Sequence, residues 1–435
     1  MRYISTSGQS VTDLRGAIMH SIAPDGSLYL PESIPHLPKA YFNNIEQMSL
    51  KEIAYVVVTS LLGTDVDSAA LKKAVDAAYD FPMPLKKMAD GTHVLELFEG
   101  PTMAFKDAGA RFLAEFSNVY HKSTSRPIVG LMATTGNAGA AMANAFATHR
   151  DKRLVILFPR GSVSRMQIAQ MSAAGPHVKV VEVDGPMSAC RQIIKDAMAD
   201  QQLSSLSMLI NINSVNIMRI IPQVVFPFYA YARLKASGIN PDGMTYAFPC
   251  GGLSNLTAAI IAKRLGLPLG HIVAGFNAND DFVRVANGQL SLDKLNTSSR
   301  PTLAHAMDSG LATNLRRVLT LYNNNLDELR KDISAVSLSD TEIADEIRGA
   351  MEKGYIPDPC TAVALGALKR SNPDANKPRL VLATAHPAKS LDVMTQVTGR
   401  AIELPLQLTR FMGKAPMTMK IPPNYKALKR VLLNP

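Results

Sequence analysis

Leu95-Glu96-Leu97-Phe98-Glu99-Gly100-Pro101-Thr102-Met103-Ala104-Phe105-Lys106-Asp107 is the stretch on which the reading of this chain turns. An apolar run enters a Gly-Pro turn, and the turn delivers one lysine, Lys106, to the start of a helix among Phe98, Met103 and Phe105. A lysine that condenses with a carbonyl needs its unprotonated amine, and desolvation by apolar neighbours lowers the ammonium pKa. A surface lysine with its stem laid along apolar residues would fit the same stretch, so the rest of the chain has to decide.

From about Arg126 onward, short apolar runs alternate with helical ones: Ile128 to Ala133, Leu154 to Phe158, Val178 to Val183, Tyr246 to Phe248, Ile272 to Ala274 and Leu380 to Ala383. Strands alternating with helices predict an α/β fold, a parallel sheet with helices on both faces, and ligands beyond the carboxyl ends of its strands. The first ninety residues differ. Ser49 and Glu52 form a capping box ahead of Ile53, Ala54, Val57, Val58 and Leu61 at helical spacing, so a mostly helical lobe is expected over 1–90. The run Asn323-Asn324-Asn325 predicts a loop.

Chemistry-bearing residues collect where the predicted strands end. Ile128 to Ala133 is followed by Thr134-Thr135-Gly136-Asn137-Ala138-Gly139, with hydroxyls, an amide and backbone N–H groups at a helix start. Tyr246 to Phe248 is followed by Pro249-Cys250-Gly251-Gly252-Leu253-Ser254-Asn255, a phosphate cradle or simply a tight turn. Asn213-Ser214-Val215-Asn216-Ile217-Met218-Arg219 gathers amides, a hydroxyl and one arginine, which suits either a second phosphate or carboxylate or an ordinary helix cap. Thr384-Ala385-His386-Pro387-Ala388-Lys389 places a hydroxyl at another strand end.

Composition removes several function classes. At 435 residues with 47% hydrophobic and 19% charged residues, the chain can bury a large core. Cys190, Cys250 and Cys360 stand far apart without ligand spacing, so no metal site is expected and a reducing cytoplasm is. No apolar run approaches the ~18 to 20 residues that span a bilayer, so no membrane association is expected. The formal charge of +10 is partly local: Arg410, Lys414, Lys420, Lys426, Lys429 and Arg430 follow Glu403, the last acid. Basic and aromatic residues are not interleaved, which argues against nucleic acid and for a solvated face that also attracts anionic substrates.

Taken together these segments resemble the threonine synthase family, the long type with an amino-terminal lobe, among pyridoxal-phosphate enzymes of tryptophan-synthase-β-like fold (fold type II). The resemblance runs from Asp25-Gly26-Ser27-Leu28-Tyr29-Leu30-Pro31 to the tail. It is carried by Leu95 to Asp107, Arg160-Gly161-Ser162-Val163-Ser164-Arg165-Met166-Gln167, Asn213 to Arg219, Ala306-Met307-Asp308 and Thr384 to Lys389. It implies a lobe at 1–90, a catalytic core of two α/β lobes at 91–400 and a basic tail packed on it at 401–435. It further implies pyridoxal 5'-phosphate as cofactor, with Lys106 as the Schiff-base lysine and Thr384 facing the pyridine nitrogen. Asn137 would lie beside the phenolic oxygen, and Gly251, Gly252, Leu253 and Asn255 would form the cofactor-phosphate loop. Thr135, Asn213, Ser214 and Arg219 would hold the phosphate of a small phosphorylated amino acid. A monomer or homodimer is expected.

The sequence departs from the family pattern in the cofactor loop, where Gly252 replaces an amide side chain. It departs again at Asp358-Pro359-Cys360, where histidine usually follows the proline. Backbone N–H groups still serve a phosphate without those side chains. The same residues would also suit a related phospho-lyase releasing 2-ketobutyrate, or a cofactor-binding paralogue weakened in catalysis. A serine or threonine dehydratase would leave the Asn213 to Arg219 segment without a phosphate.

Overall fold

A computed structural model describes residues 1–121, 126–296, 298–411 and 417–433. Two parallel sheets dominate it. The larger runs in the order Ile333–Ser337, Leu269–Phe276, Met244–Pro249, Arg379–Ala383, His93–Glu96, Leu85–Lys87, with only the last pair antiparallel. The smaller runs Met419–Ile421, Val178–Val183, Arg153–Pro159, Ile128–Ala133, Met208–Asn211, parallel throughout. Helices cover both faces, which is why Ile128–Ala133 and Met244–Pro249 are buried at every residue and read as unbroken apolar runs.

The Ser49–Glu52 capping box is present, and the helix Leu50–Leu62 buries Ile53, Ala54, Val57, Val58 and Leu61. The amino-terminal lobe is mostly helical, as expected, with helices Leu14–His20, Lys39–Asn44, Leu50–Leu62 and Ser68–Ala78. It adds an antiparallel sheet of Val11–Asp13, Arg2–Ser5 and Tyr29–Pro31, whose strands are too short for a clear alternation. Leu85–Lys87, placed in that lobe by the sequence reading, is instead the edge strand of the larger sheet. The lobe shares one continuous apolar core with the catalytic lobes.

The tail is built into the smaller lobe. Met419–Ile421 pairs with Val178–Val183, and the helix Tyr425–Leu433 buries Leu428, Val431 and Leu432. Its basic residues are not all solvated: Lys429 pairs with Asp200 at 2.7 Å, and Arg410 donates to the Pro101 carbonyl at 3.1 Å. Lys414 lies outside the described residues. Asn323 and Asn324 adopt positive φ in the expected loop. Among the described residues no helix is long and apolar enough to cross a membrane.

Candidate active site

A cavity of about 940 Å³ opens between the two parallel sheets, lined by their carboxyl-terminal strand ends. Lys106, Thr135, Asn137, Asn213, Ser214, Gly251, Gly252, Leu253, Asn255 and Thr384 all border it. Parallel strands put their ends on one side, so segments distant in sequence converge there.

Lys106 starts the helix Lys106–His121, and its Nζ stands 4.1 Å from the Phe105 ring centroid. Burial pushes its pKa down to about 7, and the nearby Arg219 charge adds to the effect. The turn that delivers it is fastened from several sides. Phe105 N–H donates to the Thr384 carbonyl at 2.8 Å and His386 N–H to the Met103 carbonyl at 3.1 Å. Asp107 accepts from the Thr102 hydroxyl at 2.6 Å and its N–H at 2.9 Å. Lys389 Nζ, buried, donates to the Thr102 carbonyl at 2.6 Å and to Gln170 Oε1 at 2.9 Å. Met103 has φ +57, a left-handed conformation that a non-glycine residue adopts at a cost of roughly 1 kcal/mol.

At the end of Ile128–Ala133, Thr134 Oγ1 accepts from the Gly136 and Gly139 N–H groups at 3.0 and 2.9 Å, shaping the turn into the helix Asn137–Phe146. Asn137 Oδ1 accepts from Gln167 Nε2 at 3.0 Å. Asn213 borders the cavity with its carboxamide engaged: Oδ1 accepts from Ala133 N–H at 2.9 Å and Nδ2 donates to the Ala133 carbonyl at 2.7 Å. It therefore locks two strand ends together and leaves one amide hydrogen for a ligand. Arg219 does not line the cavity. It is 4% exposed, its Nη1 donates to the Ile212 carbonyl at 3.1 Å, and its Nε is buried without a partner. That Nε lies 3.6 Å from the position a Cβ on Gly109 would take, one turn into the lysine helix.

The loop after Met244–Pro249 turns through Leu253, left-handed at φ +62, into the helix Ser254–Arg264. A Cβ on Gly251 would meet the Met307 carbonyl oxygen at 2.7 Å, so that backbone is held close against residues 306–308. Gly252 has open space. Asn255 Oδ1 is buried without a partner at the helix start. A cradle without side chains, an N–H-rich helix start and an unmet amide fit a phosphate-bearing group. Asp308 also borders the cavity. Burial raises its carboxyl to about 6 although Asn277, Asn279 and Thr302 donate to it. Cys250 and Cys360 line the same space, their thiols pushed up by burial, Cys250 to about 12.

The sequence reading missed Asn314 and Arg317. Asn314 Nδ2 donates to the Gly252 carbonyl at 2.8 Å and to Ser214 Oγ at 3.1 Å, and Arg317 Nη1 donates to the Ser214 carbonyl at 2.7 Å. Neither lies at a predicted strand end, and an arginine at the start of a helix carries no mark of burial.

Two parallel sheets meeting over a buried lysine amine lowered to about 7 fit a class, the pyridoxal-phosphate-dependent enzymes, whose family profile matches residues 93–385. The flanks narrow it, since the threonine synthase N terminus profile matches residues 2–79 and the threonine synthase C-terminal profile residues 361–432. The chain belongs to the threonine synthase family. It is 32% identical to threonine synthase of Serratia marcescens over 418 residues, 96% of this chain and 95% of that one. The crystal structure of threonine synthase from Escherichia coli superposes with a TM-score of 0.91 at 29% identity, covering 100% of both chains. The pyridoxal-phosphate-bound threonine synthase from Brucella melitensis gives 0.90 at 28% identity, covering 99% of this chain and 98% of that one.

Proposed function

We infer that this protein converts O-phospho-L-homoserine and water to L-threonine and phosphate with pyridoxal 5'-phosphate as cofactor. The observation that carries this reading is one cavity in which a lysine amine, lowered to about 7, faces two separate segments suited to anions. One segment serves the cofactor's phosphate, Gly251 to Asn255; the other serves the substrate's, through Thr135, Asn213 and Ser214 with Arg219 behind them. Two anion sites are what a phosphorylated amino acid on a phosphorylated cofactor requires.

The bound cofactor supplies an electron sink for negative charge developing on the substrate carbons. Lys106 would hold the cofactor covalently at rest. As a free amine near its operating pH, it takes a proton from the substrate α carbon and then one from the β carbon. Phosphate leaves from the γ carbon into the second anion site. The protons that Lys106 removed return, one to the γ carbon, which ends as a methyl, and one to the α carbon, while water adds as hydroxyl at the β carbon and its second proton goes to the departed phosphate. Thr384 and Asn137 border the cavity; Thr384 would face the pyridine nitrogen with a neutral hydroxyl, which would temper the electron pull, and Asn137 would lie beside the phenolic oxygen. A monomer or homodimer in a reducing cytoplasm suits a chain with three buried free thiols.

The test is product analysis. Purified protein with pyridoxal phosphate and phosphohomoserine is expected to release threonine and phosphate in equal amounts; 2-ketobutyrate in place of threonine would assign the chain to phospho-lyase chemistry. Lys106→Ala should abolish turnover and covalent cofactor attachment. Borohydride reduction followed by peptide mapping should label Lys106, and a label on another lysine would overturn its role.

A further inference from the structure

Arg317 is among the largest fully buried side chains of the described residues, 0% exposed. Its hydrogen bonds go to carbonyl oxygens: Nε to Tyr29 at 2.9 Å, Nη1 to Ser214 at 2.7 Å and to Asn314 Oδ1 at 2.6 Å, and Nη2 to Val215 at 2.7 Å. No carboxylate pairs with it among the described residues. A guanidinium buried without a counter-ion is expensive, and well-packed apolar side chains usually fill such a place at lower cost. What an apolar side chain cannot do is hold three carbonyls in a fixed relation.

Those carbonyls belong to separate parts of the molecule. Tyr29 lies on the amino-terminal sheet, whereas Ser214 and Val215 belong to the segment read as holding the substrate phosphate. Asn314 extends the connection. Its Oδ1 accepts from Arg317, its Nδ2 donates to Ser214 Oγ and the Gly252 carbonyl, and its backbone N–H donates to the same Gly252 carbonyl at 3.1 Å. Gly252 sits in the loop read as holding the cofactor phosphate. Its missing side chain leaves open space there, so the loop's position relies on its backbone contacts.

We propose that Arg317 and Asn314 are positioning residues that set the distance between the cofactor-phosphate loop and the substrate-phosphate segment and anchor both to the amino-terminal lobe. Neither lines the cavity. Arg317 fixes the backbone at Ser214 and Val215, and Asn314 fixes Ser214 relative to Gly252. This rests on the assignment of the two anion sites above. It makes the amino-terminal lobe part of substrate selection, because the Arg317 fork is complete only with Tyr29 in place.

The experiment compares Arg317→Lys and Asn314→Asp with wild type as holoenzymes. Arg317→Lys keeps the charge but replaces a planar fork by a single ammonium. Asn314→Asp keeps shape and gives Arg317 a counter-ion, while removing the side-chain donor to Gly252 and Ser214 and leaving the backbone bond to Gly252. Readouts are kcat and KM for phosphohomoserine, inhibition by inorganic phosphate, cofactor dissociation and melting temperature. Arg317→Lys is expected to raise KM and the phosphate inhibition constant about tenfold, the effect of one or two lost hydrogen bonds, with cofactor dissociation unchanged and kcat within about threefold. Asn314→Asp is expected to raise all three constants. Folded variants with phosphate inhibition and KM within twofold of wild type would overturn the proposal, as would an equal fall of kcat in both with KM unmoved. Should Arg317→Lys not fold, Asn314→Asp decides by the same criteria. Competition by inorganic phosphate, read from cofactor absorbance, does not depend on which product forms. An unexpected product therefore refutes the reaction without mimicking failure of the positioning role.

Discussion

Gln167 Nε2 donates to Asn137 Oδ1 at 3.0 Å, and the same carboxamide fills the space above Gly136, where an added Cβ would come within 2.2 Å of it. Gln167 Oε1 also accepts from Ser164 N–H at 3.1 Å, closing a capping box on the helix Arg165–Ser172. One side chain thus joins the Arg160 to Gln167 segment to the turn that carries Asn137. Gln167→Leu should cost about 1 kcal/mol of stability through the lost cap. With Asn137 beside the cofactor's phenolic oxygen, as proposed, it should also shift the cofactor absorbance maximum, because Asn137 is then free to turn away. An unmoved spectrum in a folded Gln167→Leu protein would remove Asn137 from the cofactor's surroundings.

Gly251 and Gly252 are adjacent but not equivalent. A side chain on Gly251 collides with the Met307 backbone at 2.7 Å, whereas the nearest atom to one on Gly252 is Thr313 Oγ1 at 3.9 Å. In cofactor titrations Gly251→Val should therefore weaken affinity at least about tenfold, since backbone cannot yield as a flexible side chain can. Gly252→Asn and Cys250→Ser should stay within about threefold. Equal losses for Gly251→Val and Gly252→Asn would contradict the close-packed loop.

These contrasts mark what could be read from the chain alone. Ile128–Ala133 and Arg153–Pro159 announced themselves as unbroken apolar runs because both faces of a parallel sheet are covered. Met208–Asn211 and Ile333–Ser337 did not, being short, partly exposed outer strands whose polar residues broke the run. The residues at strand ends were legible because topology sends all such ends to one side. Arg317 was not, since burial of a charge depends on carbonyls from Tyr29, Ser214 and Val215 that only the folded chain assembles. Asn213 was placed at the cavity by its motif, but its commitment to Ala133 is a matter of register between two strands.

The lowered Lys106 amine has a thermodynamic consequence for the cofactor-free protein. Its pKa falls from 10.5 to about 7 on folding, so between those values the unfolded chain binds more protons than the native one. Stability contributed by this group therefore rises as pH increases from about 7 toward 10.5, by at most ~1.4 kcal/mol per pH unit. Lys106→Met should be more stable than the parent near pH 7, with a flatter dependence above it. Denaturant midpoints of the two cofactor-free proteins between pH 7 and 9 measure the difference, and parallel curves would mean the amine is not desolvated.

Arg219 bears on that same amine, and two roles for it can be separated. Its buried charge helps lower the Lys106 pKa, and its Nε remains without a partner behind the segment proposed to hold the substrate phosphate. The charge role acts on Lys106. Cofactor capture by the cofactor-free protein needs the neutral amine, so its rate should rise with pH through about 7. In Arg219→Met the midpoint should move to higher pH, because a like charge is gone; in Arg219→Lys it should stay near that of the parent. The recognition role acts on the substrate. In the proposed site Arg219, set back from the cavity, would have to turn toward the phosphate, where a guanidinium offers two parallel hydrogen bonds that an ammonium cannot reproduce. Both variants should therefore lose roughly 30- to 1000-fold in kcat/KM for phosphohomoserine, or about 2 to 4 kcal/mol. Binding of an unphosphorylated amino acid, followed by the cofactor spectrum, should change far less. Recovery of kcat/KM by Arg219→Lys would reduce Arg219 to its charge. Equal losses with phosphorylated and unphosphorylated ligands would make it a structural arginine that holds the Ile212 carbonyl.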